Sequence, residues 1–312
     1  MPEIPDIEAY IEALRLRIMG ERLLGIRLLN PFLLRTVDPP LSAAVGGSVT
    51  GVERLGKRLV IEITPPEAEV APGGTTTRYF LVLHLMIAGR LHWKAPGASA
   101  ARGSALAAFD FPAGTLLVTE AGKKRRASLR IVAGRDALNA LDPGGLEVLG
   151  ARLEEFSEAL RRENHTLKRA LTDPHIVSGI GNAYSDEIVH RARLSPFKQT
   201  RTLDDAEVLR LYQASQAVLR EWTERLRAEA REAFPEKVTA FRPDMAVHGR
   251  YRQPCPVCGA AGCRIVYADN ECDYCPVCQT EGRILADRSL SRLLKDDWPR
   301  TVDETDRSKR DT

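Results

Sequence analysis

The chain has no cysteine before Cys255, no apolar run approaching the ~20 residues of a membrane span, and almost no excess of either charge. Each absence removes a class. Cysteines confined to the stretch from Cys255 to Cys278 cannot staple a whole fold, so a disulfide scaffold is excluded and a reducing compartment is expected. The opening residues, Met-Pro-Glu-Ile-Pro-Asp-Ile-Glu, lack the basic and apolar regions of a secretory leader, so a soluble, cytoplasmic and monomeric protein with no membrane partner is expected. Lys and Arg exceed Asp and Glu by three (45 against 42), and any basic surface therefore has to be local. At 312 residues and 44% apolar composition the chain can bury a real core and divide into two or three domains.

What is present begins with the cysteines. Cys255-Pro-Val-Cys258 and Cys275-Pro-Val-Cys278 are two knuckles, each able to bring two thiolates to one ion. Together they supply the four-thiolate tetrahedral shell that Zn2+ favours in closed structural sites, so one structural zinc per chain is expected. Cys263 and Cys272 are left over, and because Cys272-x2-Cys275 has the same spacing, the second ligand pair has an alternative. A closed site has no open coordination position and does no chemistry. It braces a hairpin, which by itself suits DNA, RNA or protein alike.

Along the chain the hydrophobic period changes twice. Pro5 fits the first residue of a helix, and Ile7, Ile11, Leu14 and Ile18 follow at helical spacing to Gly20. From Gly25 to about Val132 short apolar runs (Leu59 to Ile63, Tyr79 to Leu85, Thr115 to Val118, Leu129 to Val132) alternate with Gly/Pro-rich segments such as Pro65 to Thr77, the pattern of a β-sandwich or barrel. After Asp142-Pro-Gly-Gly the pattern turns helical: Leu153 to Arg162, Leu167 to Leu171, Ala183 to Ala192, then a long helix opened by a Thr202-x-x-Asp205 capping box. Val208, Leu211, Val218, Trp222 and Leu226 give that helix one apolar face, read as core packing. The charge-mixed end, with Trp298, reads as partly helical and then disordered.

Four ordered signals carry a resemblance. They are Pro2-Glu3-x-Pro5-Asp6, Gly56-Lys57-Arg58 before a strand, Gly179-Ile-Gly181-Asn182-Ala-Tyr184-Ser-Asp-Glu187 opening a helix, and Phe241-x5-Val247-x-Gly249-Arg250 leading into the knuckles. In this order they resemble the formamidopyrimidine-DNA glycosylase and endonuclease VIII family over roughly residues 2 to 280. The resemblance implies an α+β multidomain fold: an N-terminal catalytic β-sandwich with a leading helix (1–135), a helix-two-turn-helix domain (145–240), a four-cysteine zinc finger (241–284) and a tail (285–312), with damaged DNA in the cleft between the halves. It further implies a nucleophilic amine at Pro2 once Met1 is removed, a general acid at Glu3, and a backbone-contacting lysine at Lys57. Asn182, with Tyr184 beside it, falls in the phosphate-holding turn, Lys168 matches a backbone-contacting lysine, and Arg250 lies in the matched segment before the finger. A dinucleotide fingerprint is excluded at Gly179, because Tyr184 stands where its third glycine belongs.

These residue types suit the chemistry. A terminal amine, with an ordinary pKa of about 7.7 to 8.0, is substantially deprotonated near neutral pH and can form a Schiff base with C1′ of a deoxyribose after the base departs. An adjacent carboxyl can protonate the sugar oxygen or the leaving base. Lys123-Lys-Arg125-Arg126 is the densest basic cluster of the first domain, and phosphate neutralisation there implies salt-dependent binding.

Three positions depart from what the resemblance implies. Ile87 takes the place of the methionine that fills the void left by the flipped base, with Met86 one residue earlier; Ala127 follows Arg125-Arg126 where an aromatic wedge is expected; Asn270 replaces a hairpin arginine. The leading expectation is thus a bifunctional glycosylase and AP lyase with altered lesion choice. A lyase-only or non-catalytic damaged-DNA binder is the alternative, and a zinc ribbon serving RNA or protein ranks behind both.

Overall fold

The computed structural model describes residues 1–65, 77–99, 103–122, 124–238, 241–267, 270–286 and 300–302. The chain divides into two compact units, Met1–Pro143 with Glu221–Thr239, and Gly144–Arg220 with Ala240–Thr312.

The first unit opens with helix α1 (Ile4–Ile18) and continues through β1 (Gly25–Leu28), β2 (Ser48–Leu55), β3 (Arg58–Thr64), β4 (Tyr79–His84), β5 (Gly89–Lys94), β6 (Ala105–Phe111), β7 (Gly114–Glu120), β8 (Ser128–Ala133) and the short α2 (Arg135–Asn139). The strands form two four-stranded antiparallel sheets, β1-β6-β7-β5 and β2-β3-β4-β8, a β-sandwich with a leading helix. Three of the four apolar runs lie wholly within strands, and the fourth, Tyr79 to Leu85, runs one residue past the end of β4.

Side-chain alternation explains why β3 reads as nearly continuous apolar sequence. Leu59, Ile61 and Ile63 join Ile7, Tyr10, Leu14 and Ile18 of α1 in the main core, while Val60 turns to the opposite face beside Phe80, Val82 and Leu138. Both faces of this sheet are covered, one by α1 and the other by α2, and each fully buried Leu or Ile contributes about 1.5–3 kcal/mol. Ala9 and Ala13 on another face of α1 pack against Leu226 and Ala230, where small side chains let the two helices approach closely.

The second unit is built from α3 (Leu153–Arg161), α4 (Leu167–Thr172), α5 (Asn182–Arg191), the hairpin β9 (Cys263–Tyr267) and β10 (Asn270–Tyr274), and α7 (Pro276–Thr280). The long helix α6 (Asp205–Glu232) has residues in both units. Its cap differs from the expected Thr202-x-x-Asp205. The Glu207 amide donates to Asp204 Oδ1 (2.8 Å) and the Asp204 amide to Glu207 Oε2 (3.1 Å), so the capping box is Asp204-x-x-Glu207. Thr202 instead spends its hydroxyl on Gln199 O, inside a preceding turn of 3-10 helix. Glu, one methylene longer than Asp, reaches back to the cap amide, which favours this register. Trp298 and Lys123 lie outside the described residues.

Candidate functional site

The N-terminal residues are fixed by the start of α1. The helix begins at Ile4, one residue before the expected Pro5, with Glu3 as its cap. The Glu3 amide donates to Asp6 Oδ2 (3.0 Å) and the Glu3 carbonyl accepts from Ile7 (2.9 Å), so the backbone beside Pro2 is held from both sides. Pro2 is buried and Glu3 only 2% exposed. Burial lowers the pKa of the terminal ammonium on Met1; Glu3 and Asp6 oppose the shift, and the charges of Arg90 and Lys57 reinforce it. Burial likewise lowers Lys57, with Glu3 opposing. Amine, carboxylate and lysine thus act on one another electrostatically.

The lysine is presented by a tight hairpin. Leu55 pairs with Arg58, leaving Gly56-Lys57 as a two-residue loop in which Gly56 takes φ +61°. Only glycine adopts this conformation without strain, and such loops match the strand twist. At the end of the neighbouring β4, His84 is held down to about 4 by burial, helped by Arg58 and Lys57. His84 was legible only as part of a segment; its nearness to Lys57 comes from strand register.

The β4–β5 turn places Met86 half-buried at φ +53° and Ile87 60% exposed. Gly89 is required here, because a Cβ would lie 2.2 Å from Leu85 O, the acceptor of its own amide. Arg125 and Arg126 are exposed on the β7–β8 loop, whose backbone is fixed by the buried carboxylate of Glu120, accepting from Arg126 (2.9 and 3.0 Å) and Ala127 (3.0 Å). Ala127 itself turns into the sandwich core.

In the second unit, Gly181 caps α5 and Asn182 is its half-buried first residue, so the N-terminal, positive end of a ten-residue helix lies at this turn. Lys168 and Tyr184 face the interior, at 2% and 1% exposure, and neither side chain is offered for direct contact with a backbone phosphate. Lys168 Nζ donates instead to Asn182 O (2.7 Å) and pairs with Asp186 (2.5 Å), bracing the turn from behind. Asp186 also accepts from His248 Nδ1 (2.9 Å), and Glu187 accepts the amides of Ala246, Val247 and His248 (2.7 to 2.9 Å), so α5 anchors the segment leading to the knuckles. Burial raises the Glu187 carboxyl despite these three bonds. Arg250 Nη1 and Nη2 hold Pro243 O and Pro254 O (2.9 and 3.2 Å).

The sulfur atoms of Cys255, Cys258, Cys275 and Cys278 all lie within 4.8 Å of one another. Two of the separations are 3.9 Å (Cys255 to Cys278) and 3.4 Å (Cys258 to Cys275), around the ~3.8 Å edge of a tetrahedron with a Zn–S bond of about 2.3 Å. The donor set fits a four-thiolate ion. Cys272 is buried, its thiol pushed up by burial and by Asp186, and Cys263 stands apart on β9; neither joins the cluster, which resolves the alternative ligand pair. His190 on α5 lies 3.4 Å from Cys255 Sγ through Nε2, a contact that no motif or spacing signals.

A β-sandwich with a buried N-terminal carboxylate, a braced helical turn and a four-cysteine finger is the architecture of a DNA-repair glycosylase class. The formamidopyrimidine-DNA glycosylase N-terminal domain matches residues 1–126, and the formamidopyrimidine-DNA glycosylase H2TH domain matches 146–231. A formamidopyrimidine-DNA glycosylase of Thermus thermophilus is 31% identical over 293 residues, covering 90% of this chain and 100% of the relative. An uncharacterized formamidopyrimidine-DNA glycosylase-like protein of Mycobacterium tuberculosis is 37% identical over 164 residues, 53% of this chain and 100% of the relative. Among solved structures, the Lactococcus lactis Fpg in complex with abasic-site DNA superposes with a TM-score of 0.75 at 21% identity, covering 89% of this chain and 99% of that one. This chain belongs to the formamidopyrimidine-DNA glycosylase family. Among the described residues no helix is long and apolar enough to cross a membrane.

Proposed function

We propose that this protein is a base-excision DNA glycosylase with AP-lyase activity, acting on damaged DNA through the amine of Pro2 after removal of Met1. The observation that carries the reading is the placement of Pro2, buried next to the buried Glu3 and held by the cap of α1. Burial favours the unprotonated form of a terminal amine, the form that is nucleophilic. The amine attacks C1′ as the bond to the base breaks, and the departing base takes a proton. Cleavage of C1′–O4′, with Glu3 protonating O4′, leaves an iminium. Loss of a proton from C2′ then expels the 3′ phosphate, a further elimination expels the 5′ phosphate, and water releases the amine. No oxidant or reductant is consumed.

Lys57, His84, Arg125 and Arg126 supply phosphate contacts in this reading, and Asn182 at the positive N-terminal end of α5 supplies another. Met86 and Ile87 meet the gap left by the everted nucleotide, and Ile87 is the more exposed of the two. Arg250 shapes the approach to the finger. The four cysteines hold Zn2+, which keeps that module folded and takes no part in the chemistry.

The test is borohydride trapping on duplexes carrying an abasic site or an oxidised base. A covalent adduct is expected with the wild-type chain and none with Pro2→Gly, and absence of any wild-type adduct rules the enzyme out. Ala127, buried where an aromatic wedge was expected, favours a second reading, a lyase that has lost base excision. Trapping on abasic DNA with no release of any oxidised base would select it.

A further inference from the structure

We propose that Arg252, held against the ring of Tyr251, binds a backbone phosphate of DNA at the turn preceding Cys255. Residues 251–254 lie outside both matched domains, and no role came to them from the resemblance. The proposal rests on DNA being the substrate, as proposed above.

Four observations meet at this turn. Arg252 adopts φ +63°, a left-handed conformation that costs an arginine more than a glycine, and outliers of this kind concentrate at functional sites. Its backbone is locked there: the Arg252 amide donates to Gly262 O (2.9 Å) and the Gly262 amide to Gln253 O (2.9 Å). Its guanidinium lies 5.0 Å from the centre of the Tyr251 ring, and that ring is 43% exposed. The remaining arginines of the cluster are committed elsewhere. Arg264, 5.6 Å from the same ring, pairs with Asp273 (2.7 Å) and Glu271 (3.0 Å), while Arg250 spends its terminal nitrogens on two carbonyls. Arg252 is exposed and, among the described residues, has no carboxylate partner.

An exposed, uncompensated guanidinium whose orientation is limited by an aromatic face loses less freedom on binding than a free side chain. Its planar fork matches the oxygens of a phosphate. A backbone phosphate is therefore the ligand, with the Tyr251 ring as the support that aims the guanidinium.

The experiment uses the full-length, metal-loaded protein and fluorescence anisotropy with a labelled duplex containing a tetrahydrofuran abasic analogue, titrated over a salt series. Arg252→Gly should bind several-fold more weakly, with the slope of log Kd against log salt reduced by about one, and with an equal or higher Tm because the backbone strain is relieved. Arg252→Lys should keep the slope. Tyr251→Ala should weaken binding without changing the slope, and Tyr251→Phe should behave as wild type. Arg252→Glu, a second variant that does not depend on the glycine backbone, should bind more weakly still. Wild-type affinity and slope in Arg252→Gly and Arg252→Glu would overturn the proposal while leaving the glycosylase reading intact. Failure of the wild-type protein to bind the duplex at all would end both.

Discussion

At the scale of single residues, Glu3 and His84 make separable predictions. Glu3 caps α1 through its backbone and through its side chain, which accepts from the Asp6 amide in a capping box; Gln keeps an acceptor there, so Glu3→Gln preserves the helix start while removing the acid. Release of a damaged base should fall about 10²–10⁴-fold, the usual worth of a positioned proton donor, while trapping on a preformed abasic site persists. Equal loss of both activities would mean that the carboxyl serves the amine. His84 has a pKa of about 4 in the folded protein against an ordinary 6.5, so the native state binds fewer protons than the unfolded chain between these values. Its stabilisation is fully present above pH 6.5 and drains as pH falls toward about 4. A Tm profile should drop through this window, and His84→Gln should flatten the drop by no more than a few kcal/mol.

At the scale of elements, α5 joins two kinds of work. Its first turn begins at Asn182 behind the Gly181 cap, while Asp186, Glu187 and His190, at helical spacing, reach Lys168, the 246–248 backbone and Cys255. Lys168→Ala leaves Asp186 buried without its ammonium partner and should cost about 3–5 kcal/mol, read as a fall in Tm or in the denaturant midpoint. A change near zero would show that water replaces the lysine. Gly181 and an apolar period made α5 legible, but nothing local signalled that four of its polar side chains, Ser185, Asp186, Glu187 and His190, are buried. Polar residues in a helix read as solvent-facing until a partner segment is placed against them. The misplaced cap of α6 has a similar origin: Thr202 and Asp204 are both good caps, and only the preceding turn, which consumes the Thr202 hydroxyl, decides between them.

At the scale of the whole molecule, the two compact units have independent sources of stability. The first rests on a large apolar core; part of the second rests on four thiols and a small hairpin with few buried apolar side chains. Removing the metal with a chelator should raise hydrogen exchange in β9, β10 and α7 while leaving β1 to β8 protected. Uniform loss of protection across both units would show that they unfold as one. The net charge of +3 predicts weak attraction to polyanions overall, so the basic loop at Arg125 and Arg126 and the turn at Arg252 should dominate the salt dependence of binding.

The sequence alone determined the elements and the candidate chemistry: period-two runs define strands, period-3.6 runs define helices, paired Cys-x2-Cys knuckles bring four thiols to one place, and Pro2-Glu3 sets a carboxyl beside the proposed nucleophile. Such signals are local, set by residues a few positions apart. Tertiary structure alone decided that Lys168 and Tyr184 face inward, that Ala127 joins the core, that Cys272 stays out of the metal cluster, and that His84 neighbours Lys57. Exposure and long-range proximity depend on what packs against a residue from distant parts of the chain, and no window of neighbouring positions carries that information.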